Sequence, residues 1–203
     1  MSMPYVLIVF VSDHGSTRNL AQSVARGVNA FGRVEARLRT VPKISQLVDA
    51  SSTNDQGDFA LVTADDLENC AGLAIGSPTH FGNMSSALQY WIESTTSLWF
   101  SGALIDKPVG VFTSSASMHG GQETTLINLL TPLLHHGMCV VGVPYSSKRL
   151  GKTETGGTPY GATHVAGEGG VNSILSDDEH TIAVEQGRRL AKFAWCMHKE
   201  GRS

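Results

Sequence analysis

The chain has 203 residues, of which 41% are hydrophobic and only 16% are charged. This composition excludes a disordered protein, in which the charged fraction is high and the apolar content low. The net charge of −3 provides no basic surface for nucleic acid, and no apolar run reaches the roughly 18 residues of a transmembrane helix. Three widely spaced cysteines favour a reducing compartment over disulfides or zinc. We therefore expect a soluble cytoplasmic protein with no nucleic-acid or membrane partner.

Short apolar runs alternate with segments of helical periodicity along the chain. Continuous apolar runs predict buried strands at 5–11, 73–77, 109–113 and 139–143, and an alternating pattern predicts a more exposed strand at 34–41. A helix is expected after each of the four buried strands and none directly after the strand at 34–41. Pro132 predicts a kink or break in the third helix, and Ser176 with Glu179 forms a capping box at the start of the last.

Five strands alternating with four helices predict an α/β fold with a parallel sheet covered on both faces. No composition shift marks a domain boundary, so we expect residues 1–203 to form a single domain. Two segments, 42–72 and 144–175, are longer than ordinary loops, which favours functional or interface roles for these insertions. The second has room for a short hairpin.

Three loops at the predicted carboxyl ends of strands share small residues, hydroxyl groups and free backbone amides. They are 12–17 (SDHGST), 77–84 (SPTHFGNM) and 113–122 (TSSASMHGGQ). In open α/β sheets a ligand lies beyond this edge, at the point where the strand order reverses. Each loop alone is equally consistent with an ordinary strand–helix turn, but three of them together favour a ligand site.

The first of these loops can direct amides and hydroxyls at one anion, since it leads into a helix N-terminus. Ser16 or Thr17 could equally be an ordinary N-cap. The loop matches neither GxxxxGK[ST] nor GxGxxG, which leaves the phosphate of a mononucleotide as the expected ligand.

The other two loops carry Phe81, Met118 and His119, which suit the walls around a flat ring. No nucleophile or metal motif is present, and the adjacent His135 and His136 would point about 100° apart on a helix, so no metal site is expected. Cys139, in a predicted strand, is expected to be an inert core thiol. A mononucleotide pocket without a nucleophile favours a protein in which a bound cofactor, and not a side chain, carries out the reaction.

Six motifs together resemble the WrbA family of FMN-dependent NAD(P)H:quinone oxidoreductases. They are SDHGST, GSPTHFGNM, LWFSGAL, HGGQET, HHGM and GGTPYGAT, in this order over almost the whole chain. The resemblance implies a flavodoxin-like three-layer sandwich with strand order 2-1-3-4-5, FMN as cofactor and NADH or NADPH as electron donor. It also implies a homotetramer, a dimer of dimers, that reduces quinones by two electrons through ping-pong hydride transfer at the flavin N5.

The resemblance also assigns residues. It implies cofactor contacts by the first loop (Ser12, Asp13, His14, Gly15, Ser16, Thr17), the second loop (Thr79, His80, Phe81), the third loop (Ser114, Ser115, Ala116, Ser117, Met118, His119, Gly120) and His135. Trp99 and His14 correspond to substrate positions, and His80, His119 or His135 could stabilise reduced flavin or deliver a proton. His14 stands where the family often has a tyrosine, and His80 replaces a common arginine.

Two other functions remain open from the sequence. One is a one-electron carrier of the flavodoxin type, which would dock on partners through an acidic face. The net charge of −3 gives that alternative little support. The other is a flavin-binding regulatory or scaffold protein, which the three intact loops do not favour.

Overall fold

The computed structural model describes residues 3–42, 44, 59–170 and 172–200. Strands and helices follow one another in an α/β order with one short 3₁₀ turn, Glu168–Gly170. In chain order they are β1 (Tyr5–Phe10), α1 (Ser16–Ala30), β2 (Glu35–Thr40), α2 (Ala64–Glu68), β3 (Gly72–Pro78), α3 (Ser86–Glu93), α4 (Thr96–Phe100), β4 (Pro108–Ser115), α5 (Gln122–His135), β5 (Cys139–Val140), β6 (Gly161–Val165) and α6 (Asp177–Glu200).

The sheet is parallel with the order β2-β1-β3-β4-β5, which confirms the predicted flavodoxin-like order. Strand β1 pairs on one side with β2, from Tyr5 opposite Glu35, and on the other with β3, from Val6 opposite Gly72. All six residues of β1 are buried because helices cover both faces of the sheet. The strand order reverses between β1 and β3, so their carboxyl ends diverge into a crevice.

Two strands share the fifth position in the sheet, a feature that the sequence analysis missed. The predicted strand 139–143 pairs with β4 only at Cys139 and Val140. Farther on, the Val143 amide bonds to the Pro159 carbonyl, 2.9 Å away, and the chain leaves the sheet. Strand β6 then continues the fifth position beside residues Val111–Ser115 of β4. Within the described residues of 144–175, where a short hairpin is expected, the antiparallel pairing found is a single bridge between Thr158 and Gly161 at the tight turn before β6.

Two apolar clusters lie on opposite faces of the sheet. One is formed by β-strand residues with α1 and α6, and the other by strand residues with α3, α4 and α5. Helices α1 and α6 touch through Gly27 and Gly187, where an added Cβ would lie 2.0 Å from the carbonyl oxygens of Val184 and Val24. The backbones of these helices therefore approach one another directly.

The helix predictions have mixed outcomes. The capping box is confirmed, because the Ser176 amide donates to Glu179 Oε2 at 2.8 Å and the Glu179 amide to Ser176 Oγ at 3.2 Å. A break at Pro132 is wrong, since α5 continues to His135. Helix α2 lies within the long segment 42–72, whose residues 43 and 45–58 are outside the described part. Helix α4 was not predicted as a separate element.

Cys139 is partly exposed at the short β5, so the expectation of a buried core thiol is wrong. The difference arises because β5 is a two-residue strand at the edge of the sheet, where less of a side chain is covered than in a central strand. All three cysteines are free. None of the helices in the described part of the chain is both long and apolar enough to cross a membrane.

Candidate functional site

The N-terminus of α1 presents backbone amides that no group among the described residues satisfies. Its N-cap is Gly15, at φ 92°, with no side-chain cap, so neither Ser16 nor Thr17 caps the helix. These two residues open the helix, and their amides have no acceptor in the described part of the chain. Ser12 Oγ shapes the turn by accepting hydrogen bonds from the amides of Gly15 (3.1 Å) and Arg18 (3.2 Å).

A cavity of about 170 Å³ lies against this helix end. Thr17 Oγ1 of α1 and Ser114 Oγ of β4 are hydrogen-bonded at 2.9 Å, and Ser16 Oγ donates to the Asn172 carbonyl at 3.2 Å. The first turn of α1 contains no acidic residue. The cavity is lined by all three predicted loops and one further segment: Ser12, Asp13, His14, Ser16, Thr17, Pro78, Thr79, His80, Ser114, Ser115, Ala116, Ala166 and Gly170.

The loop after β3 holds an aromatic side chain entirely in solvent. His80 and Asn83 exchange backbone hydrogen bonds of 2.8 and 3.0 Å, and between them Phe81 adopts φ 53°. A positive φ is unusual for a bulky residue, and the tight bridge around it holds it in place. Its ring is fully exposed, which leaves a flat apolar face beside the crevice.

The loops after β3 and β4 contact each other closely. Gly121, the N-cap of α5 at φ 92°, lies so near that an added Cβ would be 2.8 Å from the Gly82 Cα. Thr79 Oγ1 and Thr125 Oγ1 are hydrogen-bonded at 2.6 Å across the same contact. Inside the third loop, Ser115 Oγ donates to the Ser117 carbonyl at 2.6 Å. The two loops thus form one wall of the site.

Asp13 and His80 face each other at the mouth of the cavity. Asp13 Oδ2 lies 3.7 Å from His80 Nε2, and about half of each side chain is exposed. Both residues also line a second cavity of about 700 Å³, together with Phe81, Asn83 and Gln89 among others. The pair therefore stands between a small polar cavity and a larger open one.

The structure does not bring every predicted site residue to these two cavities. Phe81 lines the larger one, whereas Gly15, Ser117, Met118, His119 and Gly120 line neither. His135 ends α5 on the surface, and its carbonyl accepts a hydrogen bond of 2.8 Å from Trp99 Nε1. Trp99 and His135 are therefore together, but outside the cavities of the single chain.

A buried ion pair beneath the site was not found from the sequence. His164 and Glu179 are 1% and 2% exposed, and His164 Nδ1 lies 2.8 Å from Glu179 Oε2. His164 Nε2 lies 2.8 Å from the Asn172 carbonyl, the same oxygen that accepts from Ser16 Oγ. Because both partners of the ring are acceptors, both ring nitrogens carry hydrogen and the imidazole is positively charged.

The pKa values of this pair shift in the directions that the contacts require. Burial alone would lower the pKa of His164, but its hydrogen bonds to Glu179 and Asn172 outweigh burial and raise that pKa. Burial alone would raise the pKa of Glu179, but hydrogen bonds from His164 and from backbone amides lower it to about 2. These amides belong to Gly156, Val165 and Ser176. The pair thus anchors the segment after β6 against the start of α1.

The arrangement fits a mononucleotide phosphate with a flat ring. Two free amides at a helix N-terminus, nearby hydroxyls and the absence of an acidic residue in the first turn of the helix suit a phosphate. The larger cavity beside Phe81 has room for the ring and for a second flat molecule. Among the described residues, no three His, Cys, Asp or Glu side chains are grouped to hold a metal ion.

Residues 5–150 match the family described as NADPH-dependent FMN reductase. The chain belongs to this family. A protein of Chromohalobacter salexigens named NAD(P)H dehydrogenase (quinone) is 42% identical over 197 residues, covering 95% of this chain and 98% of that protein. A protein of the same name from Solidesulfovibrio magneticus is also 42% identical, over 92% and 95% of the two chains.

Solved structures show that this FMN reductase family member has a flavodoxin fold. A WrbA-like flavodoxin from Agrobacterium tumefaciens superposes with a TM-score of 0.67 at 23% identity, covering 95% of this chain and 98% of that one. A flavodoxin from the domain Archaea gives 0.63 at 16% identity, covering 94% and 99%. The resemblance to the WrbA family noted in the sequence is confirmed.

Proposed function

We propose that this chain is an FMN-dependent NAD(P)H:quinone oxidoreductase. The main support for this proposal is the pair of amides at the start of α1 that have no acceptor among the described residues, where three loops meet at the carboxyl edge of the sheet. The relatives named NAD(P)H dehydrogenase (quinone) support the choice of electron donor and acceptor. FMN, when bound, accepts hydride from NAD(P)H and passes two electrons to a quinone.

The chain's own residues would bind and orient the cofactor. The amides of Ser16 and Thr17 and the hydroxyl of Ser12 lie where the phosphate would be bound, and the positive end of the helix dipole favours its charge. The loops after β3 and β4 would hold the ring. The proposed FMN residues are Ser12, Asp13, His14, Gly15, Ser16, Thr17, Thr79, His80, Phe81, Ser114, Ser115, Ala116, Ser117, Met118, His119, Gly120 and His135.

His80 is the histidine best placed to hold a proton in the site. It lines both cavities, whereas His119 and His135 line neither in the single chain. Asp13 Oδ2 lies 3.7 Å from His80 Nε2 and orients the ring. This contact also gives a reason for an aspartate near the phosphate. We assign nicotinamide and quinone to the larger cavity beside His80. His14, the other proposed substrate residue, lines the adjoining smaller cavity.

Initial rates test this function. NADH oxidation by the FMN-loaded protein is measured over a grid of NADH and 1,4-benzoquinone concentrations. If NADH and quinone bind in turn in one cavity, the kinetics are ping-pong and double-reciprocal plots give parallel lines. If FMN is the cofactor, the FMN-free protein has no activity. Intersecting lines would contradict the shared cavity, and activity without added FMN would contradict the cofactor.

We also propose a homotetramer, a dimer of dimers. Large apolar side chains are exposed around the end of α5 and the α4 region, which supports subunit contacts. Phe100 is 78% exposed and its ring contacts that of Trp99 at a tilt of 60°, with ring centroids 4.8 Å apart, while Leu134 and Ile105 are each 58% exposed. A tetramer would bring Trp99 and His135 of one subunit near another subunit's cavity. Light scattering after size exclusion measures the molar mass in solution, and we expect that of four chains. Leu134→Glu places a charge in the proposed subunit contact and should lower this molar mass, whereas the molar mass of a single chain for the unmodified protein would contradict the tetramer.

A cytoplasmic location is proposed on the free thiols. Cys70, Cys139 and Cys196 form no disulfide, which supports a reducing compartment. Cell fractionation tests this proposal. Recovery of the protein in the cytoplasmic fraction is expected, and recovery with membranes would contradict it.

A further inference from the structure

A separate cavity of about 400 Å³ lies at the other end of α1 from the proposed phosphate site. Phe31, the residue after α1, lines it together with Pro144 and residues of α6. Since α1 has 15 residues, its two ends are about 22 Å apart. No lining residue of this cavity, which we call the α1–α6 cavity, lines either cavity at the carboxyl edge of the sheet.

The lining of the α1–α6 cavity is strongly cationic in a chain whose net charge is −3. Arg188, Arg189 and Lys192 project from one part of α6, and Glu185 is the single carboxylate among the lining residues. In the described part of the chain, none of the three cations forms an ion pair with a carboxylate. The lining thus carries a net charge of about +2 that no described carboxylate neutralises, although the Arg189 guanidinium lies over the Phe193 ring, 5.1 Å from its centroid.

Two polar atoms of this lining also lack hydrogen-bond partners. Ser147 is 7% exposed, and its Oγ has no partner; Arg189 Nε is buried and has none. Within the described residues only one other buried side-chain atom, His136 Nδ1, shares this condition. Buried polar groups nearly always have a hydrogen-bond partner. Two such groups without a partner beside one cationic cavity therefore indicate a site for a ligand with several hydrogen-bond acceptors.

We propose that the α1–α6 cavity binds a phosphorylated small molecule with a flat ring, of the nucleoside monophosphate class. Guanidinium and ammonium groups are donors only, and a phosphate monoester offers three acceptor oxygens and a charge near −2. Phe31 and Pro144 provide an apolar surface for the ring. The volume lies within the range of small-molecule sites. This site is independent of the proposed quinone reduction.

Calorimetric titration of the FMN-loaded protein tests the proposal with three probes: AMP, inorganic phosphate and adenosine. AMP should bind most tightly, phosphate more weakly and adenosine least. Arg188→Gln and Lys192→Gln should each weaken AMP binding roughly tenfold or more, because each removes charge-assisted hydrogen bonds. Matched controls are Arg26→Gln and Lys152→Gln, which alter exposed cations outside the cavity and should leave the affinity unchanged.

The remaining outcomes overturn the proposal in distinct ways. No heat with AMP, or equal affinity in all five proteins, rules out the site. Adenosine binding as tightly as AMP contradicts phosphate recognition, and phosphate binding as tightly as AMP contradicts the role of the ring. Flavin absorbance and quinone reductase rates of the same samples show that each variant is folded, and they keep this test separate from that of the proposed function.

Discussion

Ser12 determines the shape of the turn that leads into α1, because its Oγ accepts from two amides, those of Gly15 and Arg18. Replacing Ser12 by alanine removes both hydrogen bonds. The turn is then less fixed, and the amides of Ser16 and Thr17 no longer point at one position. We expect Ser12→Ala to raise the Kd for FMN roughly tenfold or more, at about 1 kcal/mol for each lost hydrogen bond. Quenching of flavin fluorescence on binding measures the Kd.

Ser97→Ala is the matched control for this change. Ser97 is exposed on α4, and no hydrogen bond of its hydroxyl is seen. Its replacement should leave the Kd for FMN unchanged. If Ser12→Ala bound FMN as tightly as the unmodified protein, the phosphate would not lie against this turn.

The buried pair of His164 and Glu179 makes stability depend on pH in two directions. The pKa of Glu179 falls from 4.5 to about 2 on folding, so its contribution is present above pH 4.5 and is lost as the pH falls toward 2. The pKa of His164 is raised above 6.5, so its contribution is complete below pH 6.5 and is lost as the pH rises through the folded value. We expect the pair to stabilise most between these limits.

Urea unfolding of the unmodified protein and of Glu179→Gln between pH 3 and pH 9 measures this contribution. The variant should lose roughly 3–5 kcal/mol near pH 6, since one charge of a buried pair is left without its partner. Its stability should also vary less with pH. Glu185→Gln, on an exposed residue of the same helix, is the control. Parallel pH profiles for the unmodified protein and Glu179→Gln would contradict the assignment.

At the scale of single residues, the sequence shows which side chains are polar but not which of them contact one another in the folded chain. Asp13 and His80 are 67 residues apart, and only the adjacent carboxyl ends of β1 and β3 bring them to 3.7 Å. His164 lies in the segment 144–175, directly after the GGTPYGAT motif, and it was not among the predicted site residues. Its role depends on long-range contacts with Asn172 and Glu179 that no local pattern encodes.

At the scale of elements, α1 and α6 pack through glycine rather than through side chains. A Cβ at Gly187 would lie 2.0 Å from the Val24 carbonyl oxygen, so the helices must separate to accept alanine. We expect Gly187→Ala to destabilise the protein by about 1 kcal/mol, because overpacking costs roughly 1–3 kcal/mol and alanine's higher helix propensity offsets about 1 kcal/mol of that cost. Urea unfolding measures the difference.

Gly151→Ala provides the contrast for this prediction. Nothing lies within 4 Å of a Cβ added at Gly151, and the residue is exposed. Its unfolding free energy should therefore stay within about 0.5 kcal/mol of that of the unmodified protein. A Gly187→Ala protein as stable as the Gly151→Ala protein would show that the helices separate without cost.

The elements that the sequence predicts well are those with strong local patterns. Strand β1 is a continuous apolar run, and Ser176 with Glu179 marks the start of α6 three residues apart. The division of the fifth sheet position between β5 and β6 is not predictable in this way. It depends on the Val143 amide bonding to Pro159 instead of β4, which is a competition between distant partners.

At the scale of the whole molecule, we propose that residues 1–203 form one domain. The C-terminal helix α6 returns to pack on α1 near the start of the chain, and both cover the same face of the sheet. Thermal unfolding should therefore be a single transition, with the same midpoint by far-ultraviolet circular dichroism and by tryptophan fluorescence. Two separate midpoints would contradict a single domain.

The site as a whole was predictable in outline because the topology fixes where the loops of a parallel sheet meet. The first loop, part of the second and the beginning of the third line one cavity as expected. The positions of Trp99 and His135 outside it were not predictable, because the spacing along α4 and α5 does not show which cavity they face. Their proposed place near a neighbouring subunit's site depends on assembly.

The most direct test of two-electron quinone reduction at this site is an anaerobic absorbance titration of the FMN-loaded protein with NADH, followed by 1,4-benzoquinone. We predict complete bleaching of the flavin by one equivalent of NADH, no long-wavelength band of one-electron-reduced flavin, and full recovery with one equivalent of quinone. Bound flavin that NADH does not bleach, or a stable one-electron-reduced band, would contradict the account and favour a one-electron carrier.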